Sequence, residues 1–164
     1  MCGMNKFFNT SIPFPLTAEQ VVQQIIDYMK EDGLSEYRIT VGTDSQANAE
    51  QKADFVTAIV VHRIGRGARY FWTRNGETVK FHSLRDRITR EVLISLDSAN
   101  QFSEKLAAFK DAPKFDFEIH VDIGQNGATK TMIQELVGMI RANNFEVKTK
   151  PDSYAASNVA DKHV

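Results

Sequence analysis

The chain has 164 residues, 42% hydrophobic and 25% charged, with a net charge of −1. These values fit one globular domain spanning residues 1–164, show no linker, repeat or low-complexity stretch, and do not by themselves announce a nucleic-acid binder. The single cysteine, Cys2, leaves no partner for an internal disulfide, and the longest apolar run, Phe55 to Val61, is too short to span a bilayer.

No basic segment followed by an apolar one opens the chain, so secretion and membrane insertion are not expected and a reducing, cytoplasmic setting is. Thr17 and Gln20 form a capping-box pattern ahead of Val21, Val22, Ile25, Ile26 and Met29 at helical spacing, with Gly33 as a stop. Tyr37 to Asp44 then reads as a first strand. Phe55 to Ile64 reads as a second, apolar on both faces and therefore central in its sheet. Gly65-Arg66-Gly67 turns the chain into a third strand, Ala68 to Thr73, which Asn75-Gly76 ends or turns.

From Ser83 to about Phe109, the apolar residues Leu84, Ile88, Val92, Leu96, Ala99, Phe102, Leu106 and Phe109 recur with helical period. Phe115, Phe117, Ile119 and Val121 alternate with Asp116, Glu118, His120 and Asp122, the signature of a fourth strand with one polar face. After a loop at 124–127, Thr129 can cap a helix carrying Met132, Ile133, Leu136, Val137 and Ile140, closed by Asn143-Asn144. Phe145 to Lys150 is a fifth strand, broken by Pro151, and Ser153 onward reads as a short last helix. The order predicts an antiparallel meander followed by parallel strand-helix-strand units, hence a mixed five-stranded sheet with helices on both faces and an extra N-terminal helix.

Several acids stand where chemistry would want them. Asp44 ends the first strand among small neighbours in Val41-Gly42-Thr43-Asp44-Ser45-Gln46. Glu91 falls about 20° from Leu84 on a helical wheel, inside the apolar stripe, whereas Asp86, Asp97 and Glu104 lie on the opposite side. A carboxylate pointing at a core needs a cation or a proton. Asp122 sits at the C-terminal end of the fourth strand, where open α/β sheets bind ligands. Asp161 can face the sheet from the last helix, while His163, two residues on, points elsewhere if that helix is regular. The bland alternatives are turn or cap aspartates and a paired helical glutamate. In-line phosphodiester hydrolysis uses two cations roughly 4 Å apart, and hard ions such as Mg²⁺ or Mn²⁺ take oxygen ligands.

Residues 62–90 hold eight basic side chains against Glu77 and Asp86. Arg63, Arg66, Arg69, Arg85 and Arg87 are thus candidates for contacting nucleic-acid phosphates, or else the solvated faces of a hairpin and a helix.

The blocks Gly42-Thr43-Asp44-Ser45-Gln46, Arg87 to Glu91, His120-Val121-Asp122-Ile123-Gly124 and Ala155 to His163, in this order and spacing, resemble the YkuK-type family of ribonuclease H-like proteins over nearly the whole chain. The resemblance implies a ribonuclease H-like α/β fold of strand order 3-2-1-4-5, which sets the first and fourth strands side by side. It implies Asp44, Glu91, Asp122 and Asp161 as the catalytic, metal-holding acids for two Mg²⁺ or Mn²⁺ ions. Ser45, Gln46, Asn126, Asn158 and His163 become contacts to those acids or to substrate, and Asp152 competes with Asp161 as the fourth ligand. The activity implied is metal-dependent nuclease action on RNA or DNA. A non-catalytic nucleic-acid- or protein-binding module is the alternative. A nucleotide hydrolase is a weaker third, because the loop 124–131 resembles a phosphate-binding loop but has Thr129 where that loop needs glycine.

Overall fold

The computed structural model describes residues 5–124 and 129–164. The chain opens with a hairpin that periodicity did not predict, β1 (Phe7–Asn9) and β2 (Ile12–Leu16). Pro13 and Pro15 lie on β2, the outermost strand of the sheet, where a missing N–H costs no ladder bond. Helix α1 (Ala18–Lys30) begins at the expected capping box: Thr17 Oγ1 accepts the Gln20 N–H at 3.2 Å, and Gln20 Oε1 accepts the Thr17 N–H at 2.8 Å. It buries Val21, Val22, Ile25, Ile26 and Met29.

Three long antiparallel strands follow, β3 (Tyr37–Ala47), β4 (Lys52–Arg63) and β5 (Ala68–Lys80), with Gly65 and Gly67 supplying the left-handed conformations of the β4–β5 turn. Each outruns its sequence reading at the same end of the sheet. β3 continues past Asp44, and β5 runs straight through Asn75-Gly76, where Gly76 pairs with Asp54. Pairing with a neighbour overrides the local turn preference of Asn-Gly. Helix α2 (Leu84–Ala107), capped by Ser83, leads to β6 (Phe115–His120); α3 (Lys130–Ala142) leads to β7 (Glu146–Lys148). Thr129 stands at the start of α3 but makes no capping hydrogen bond through its side chain, and Leu84, expected in the apolar stripe of α2, is exposed on its first turn. The last segment is a π-helical stretch, Ala155–Ala160, closed by a 3₁₀ turn, Asp161–His163.

The sheet is mixed and has seven strands, in the order β2-β1-β5-β4-β3-β6-β7, rather than the five expected. The order as a whole therefore differs from 3-2-1-4-5, because the N-terminal hairpin extends it beyond β5. Inside it, β5-β4-β3-β6-β7 are consecutive, and β3-β6 and β6-β7 are parallel. Helices α1 and α2 pack on Tyr37, Ile39, Val41, Ile59, Val61 and Phe71, and α2 with α3 covers Ile119 and Val121. The opposite face is covered by the C-terminal segment, whose Ala160 is buried against Val56 and Ala58. Beneath that cover the polar side chains of β6 are buried as well: Glu118 and His120 are 6% and 1% exposed.

Candidate metal centre

The parallel pairing of β3 and β6 brings Gly42 opposite His120, so two residues further along each chain Asp44 and Asp122 leave the same end of adjacent strands. Asp44 is thus inside β3 and level with the end of its shorter neighbour. Its side chain is on the face covered by the C-terminal segment, where the Asp161 carboxyl hydrogen-bonds to it. From the other face, α2 turns Glu91 inward to 6% exposure, and Ser45 Oγ donates to Glu91 Oε1 at 2.5 Å. The wheel reading of Glu91 holds because Ser95, one turn on, is equally buried and donates to Thr43 Oγ1 at 2.7 Å, while Asp86, Asp97 and Glu104 are exposed.

Four acids from β3, α2, the end of β6 and the C-terminal segment therefore act on one another. Burial raises the Asp44 carboxyl to about 6, helped by the Asp161 carboxyl and the charges of Asp122 and Asp161 against the pull of the Ser45 amide. Burial likewise raises Glu91 to about 8; the charges of Asp44 and Asp122 add to this, while the Ser45 hydroxyl and Arg87 oppose it. Among the described residues, no three His, Cys, Asp or Glu side chains already stand close enough to hold one ion. The donor set nonetheless fits a hard divalent cation: all carboxylate oxygen, crowded, and with two members driven toward the neutral form chiefly by burial.

Two basic residues enter the site, Lys150 unforeseen and Arg87 expected only as a contact to phosphate. Lys150 Nζ lies 3.1 Å from Asp122 Oδ1. Arg87 Nη1 donates to the Ser45 carbonyl at 2.9 Å and approaches Ser45 Oγ at 3.4 Å, which links it through the serine to Glu91. Arg87 precedes Glu91 by four residues, so its helical face was readable, but its task was not. Lys150 meets Asp122 because the parallel pairing of β6 with β7 runs on past His120 and Lys148, the Lys150 N–H donating to the Ile123 carbonyl at 3.1 Å, and no spacing signals that register.

The other candidates scatter. Gln46 and Asn158 are exposed, as is Asp152, and Asn126 lies outside the described residues with the rest of 125–128. His163 turns to β5, stacking on Trp72 with ring centroids 3.8 Å apart. The arginines divide between two ends of the sheet. Arg63 pairs across from Tyr37, seven residues before Asp44 and thus roughly 23 Å along the strand. There it donates to the Tyr28 carbonyl at 2.7 Å and lies over the Tyr28 ring at 4.1 Å, side by side with Arg69. Arg66 pairs with Asp32 at 3.3 Å. Arg85 and Arg87 stand at the acidic end, Arg85 bound to Glu135 at 2.7 Å. The five arginines offered as phosphate contacts therefore fall into two separate groups, because β5 runs the length of the sheet between Arg69 at its start and Arg85 beyond its end.

A family model described as "Ribonuclease H-like" matches residues 20–164. The chain belongs to the ribonuclease H-like family. It is also 33% identical over 165 residues, covering 95% of each chain, to the uncharacterized protein YkuK of Bacillus subtilis (strain 168). The ribonuclease H-like match takes in all four acids and begins after the β1–β2 hairpin at the sheet edge.

Proposed function

We propose that this ribonuclease H-like protein hydrolyses phosphodiester bonds of nucleic acid with Mg²⁺ or Mn²⁺ held by Asp44, Glu91, Asp122 and Asp161. The observation that carries the reading is the raising of Asp44 to about 6 and Glu91 to about 8 at the carboxyl end of two parallel strands. Such a site is costly to keep apart from a cation, and perturbed acids gathered at a ligand-binding edge mark functional sites. Bound metal would lower the pKa of an attacking water and stabilise the departing oxygen. The protein's own part is to supply oxygen ligands from two sheet faces, to orient Glu91 through Ser45 and Arg87, and to present Arg85 and Arg87 to a phosphate backbone.

The test begins with calorimetric titration of Mn²⁺ into wild-type protein and Asp122→Asn, followed by cleavage assays on single-stranded, duplex and hybrid RNA and DNA. Saturable binding that Asp122→Asn loses, with turnover abolished in Asp44→Asn/Asp122→Asn, is the expected result. Undiminished cleavage by that double variant sinks the proposal. A second reading, a non-catalytic binding module on the same fold, draws on the Lys150–Asp122 ion pair, which already gives one acid a cation, and on the absence among the described residues of a tight three-ligand group. Salt-dependent nucleic-acid binding that survives the double substitution would favour it.

A further inference from the structure

Asp161 is an exposed residue on a three-residue 3₁₀ turn that follows six residues of π-helix. Helical pieces this short have little stability of their own, so whatever fixes Asp161 beside Asp44 must come from the sheet. Resting on the metal reading above, we propose that His120 and Trp72 are positioning residues that clamp the C-terminal segment at two points and thereby seat Asp161 at the carboxylate end of β3.

The first point lies on β6. His120 Nδ1 accepts the Ala155 N–H at 3.1 Å, the opening residue of the segment, and the Tyr154 ring meets the imidazole edge-on at 4.5 Å. Accepting at Nδ1 requires the proton on Nε2, and Glu118 Oε2 takes a hydrogen bond from that nitrogen at 3.0 Å, so the tautomer is set by a second carboxylate. Glu118 is in turn 3.4 Å from Arg38 Nε. The second point lies on β5, three strands away. The His163 ring stacks on Trp72 at an interplanar angle of 8°, its Nε2 is 3.4 Å from Tyr70 Oη, and the Arg74 guanidinium donates to the His163 carbonyl. Between the two points Ala160 is buried on Val56 and Ala58. Asp161 follows Ala155 by six residues and precedes His163 by two, so it is held from both sides. Neither clamping side chain is one of the four acids, and each acts on the site only through the segment it holds.

The experiment is amide hydrogen exchange of residues 153–164 together with Mn²⁺ calorimetry on wild type, Trp72→Ala, Trp72→Phe, His120→Ala, His120→Asn and Asp161→Asn. Trp72→Ala is expected to raise exchange in the segment while amides of β3 stay protected, and to weaken Mn²⁺ about tenfold, as far as Asp161→Asn does. Combining Trp72→Ala with Asp161→Asn should cost no more than either alone. Trp72→Phe, which keeps a stacking face, and His120→Asn, whose amide oxygen can accept the Ala155 N–H, should restore protection. If His120→Ala fails to fold, Trp72→Ala carries the test. An unchanged segment in Trp72→Ala, or a loosened segment with full Mn²⁺ affinity, overturns the proposal. Wild-type protein that binds no Mn²⁺ would remove the metal reading instead, and exchange in the segment would then decide the clamp alone.

Discussion

Glu91 carries a proton in the folded protein over a pH range where it would be ionised in the unfolded chain. With a folded value near 8 against 4.5, the native state binds more protons than the unfolded state between those values, so stability falls as pH rises from 4.5 to 8. Metal-free Glu91→Gln, which keeps an acceptor for Ser45, should therefore be more stable than wild type at pH 7 by roughly 3 kcal/mol, and the difference should vanish near pH 4.5. Paired thermal melts across that range check it; a pH-independent difference would mean that Glu91 is not the titrating group. Removing Arg87 takes away a charge that favours the ionised form, so Arg87→Ala should move the Glu91 titration upward in carboxyl NMR. Glu91 could be picked out from the sequence because one acid in an apolar stripe breaks a pattern that its neighbours keep. Lys150, the tie from Arg87 to Ser45 and the hold of His120 on Ala155 could not, since each depends on a residue of another element.

Elements whose periodicity is local were the most legible. The capping box at Thr17 and the 24-residue helix α2 need only contacts three or four residues away, plus one apolar stripe. Thr17→Ala should cost about 1 kcal/mol. Phe102→Ala, which empties the site between α2 and the edge of the Phe7 ring at 5.4 Å, should cost about 3–5 kcal/mol. Denaturant melts measure both, and a loss at Phe102 below that of Thr17 would show that the α1–α2 layer is not the core. Less legible were β1, β2 and the far ends of β3 to β5. The hairpin is three and five residues long and interrupted by proline, so it owes its strand conformation to the β5 edge, where Phe8 pairs with Trp72. Asn75-Gly76 likewise became strand because β4 continued beside it.

At the scale of the whole molecule sheet order sets Asp44 and Asp122 side by side, and the proposed metal binding there has a thermodynamic signature. An ion that binds only the native arrangement stabilises it by mass action, about 2.7 kcal/mol at a concentration one hundred times Kd. Mn²⁺ should accordingly raise the melting midpoint of wild type, more at pH 8 than at pH 5.5 because Asp44 and Glu91 must lose protons to bind it, and should leave Asp44→Asn/Asp122→Asn unmoved. An equal shift in the double variant would place the ion elsewhere. Local pattern was enough for the α/β class, the three main helices, the central strands and Asp44, Glu91 and Asp122 as separate candidate positions, because periodicity and the placing of an acid at a strand end or in an apolar stripe are encoded over a few residues, whereas Asp161 was joined to them by the family resemblance. Residue patterns left open whether β3 and β6 are neighbours, which only the family resemblance implied, and the tertiary structure decided that the basic segment divides between two ends of the sheet and that a short terminal segment covers the second face. Those outcomes depend on pairings between residues dozens of positions apart, whose energies come from burial and register and leave no local pattern in the chain.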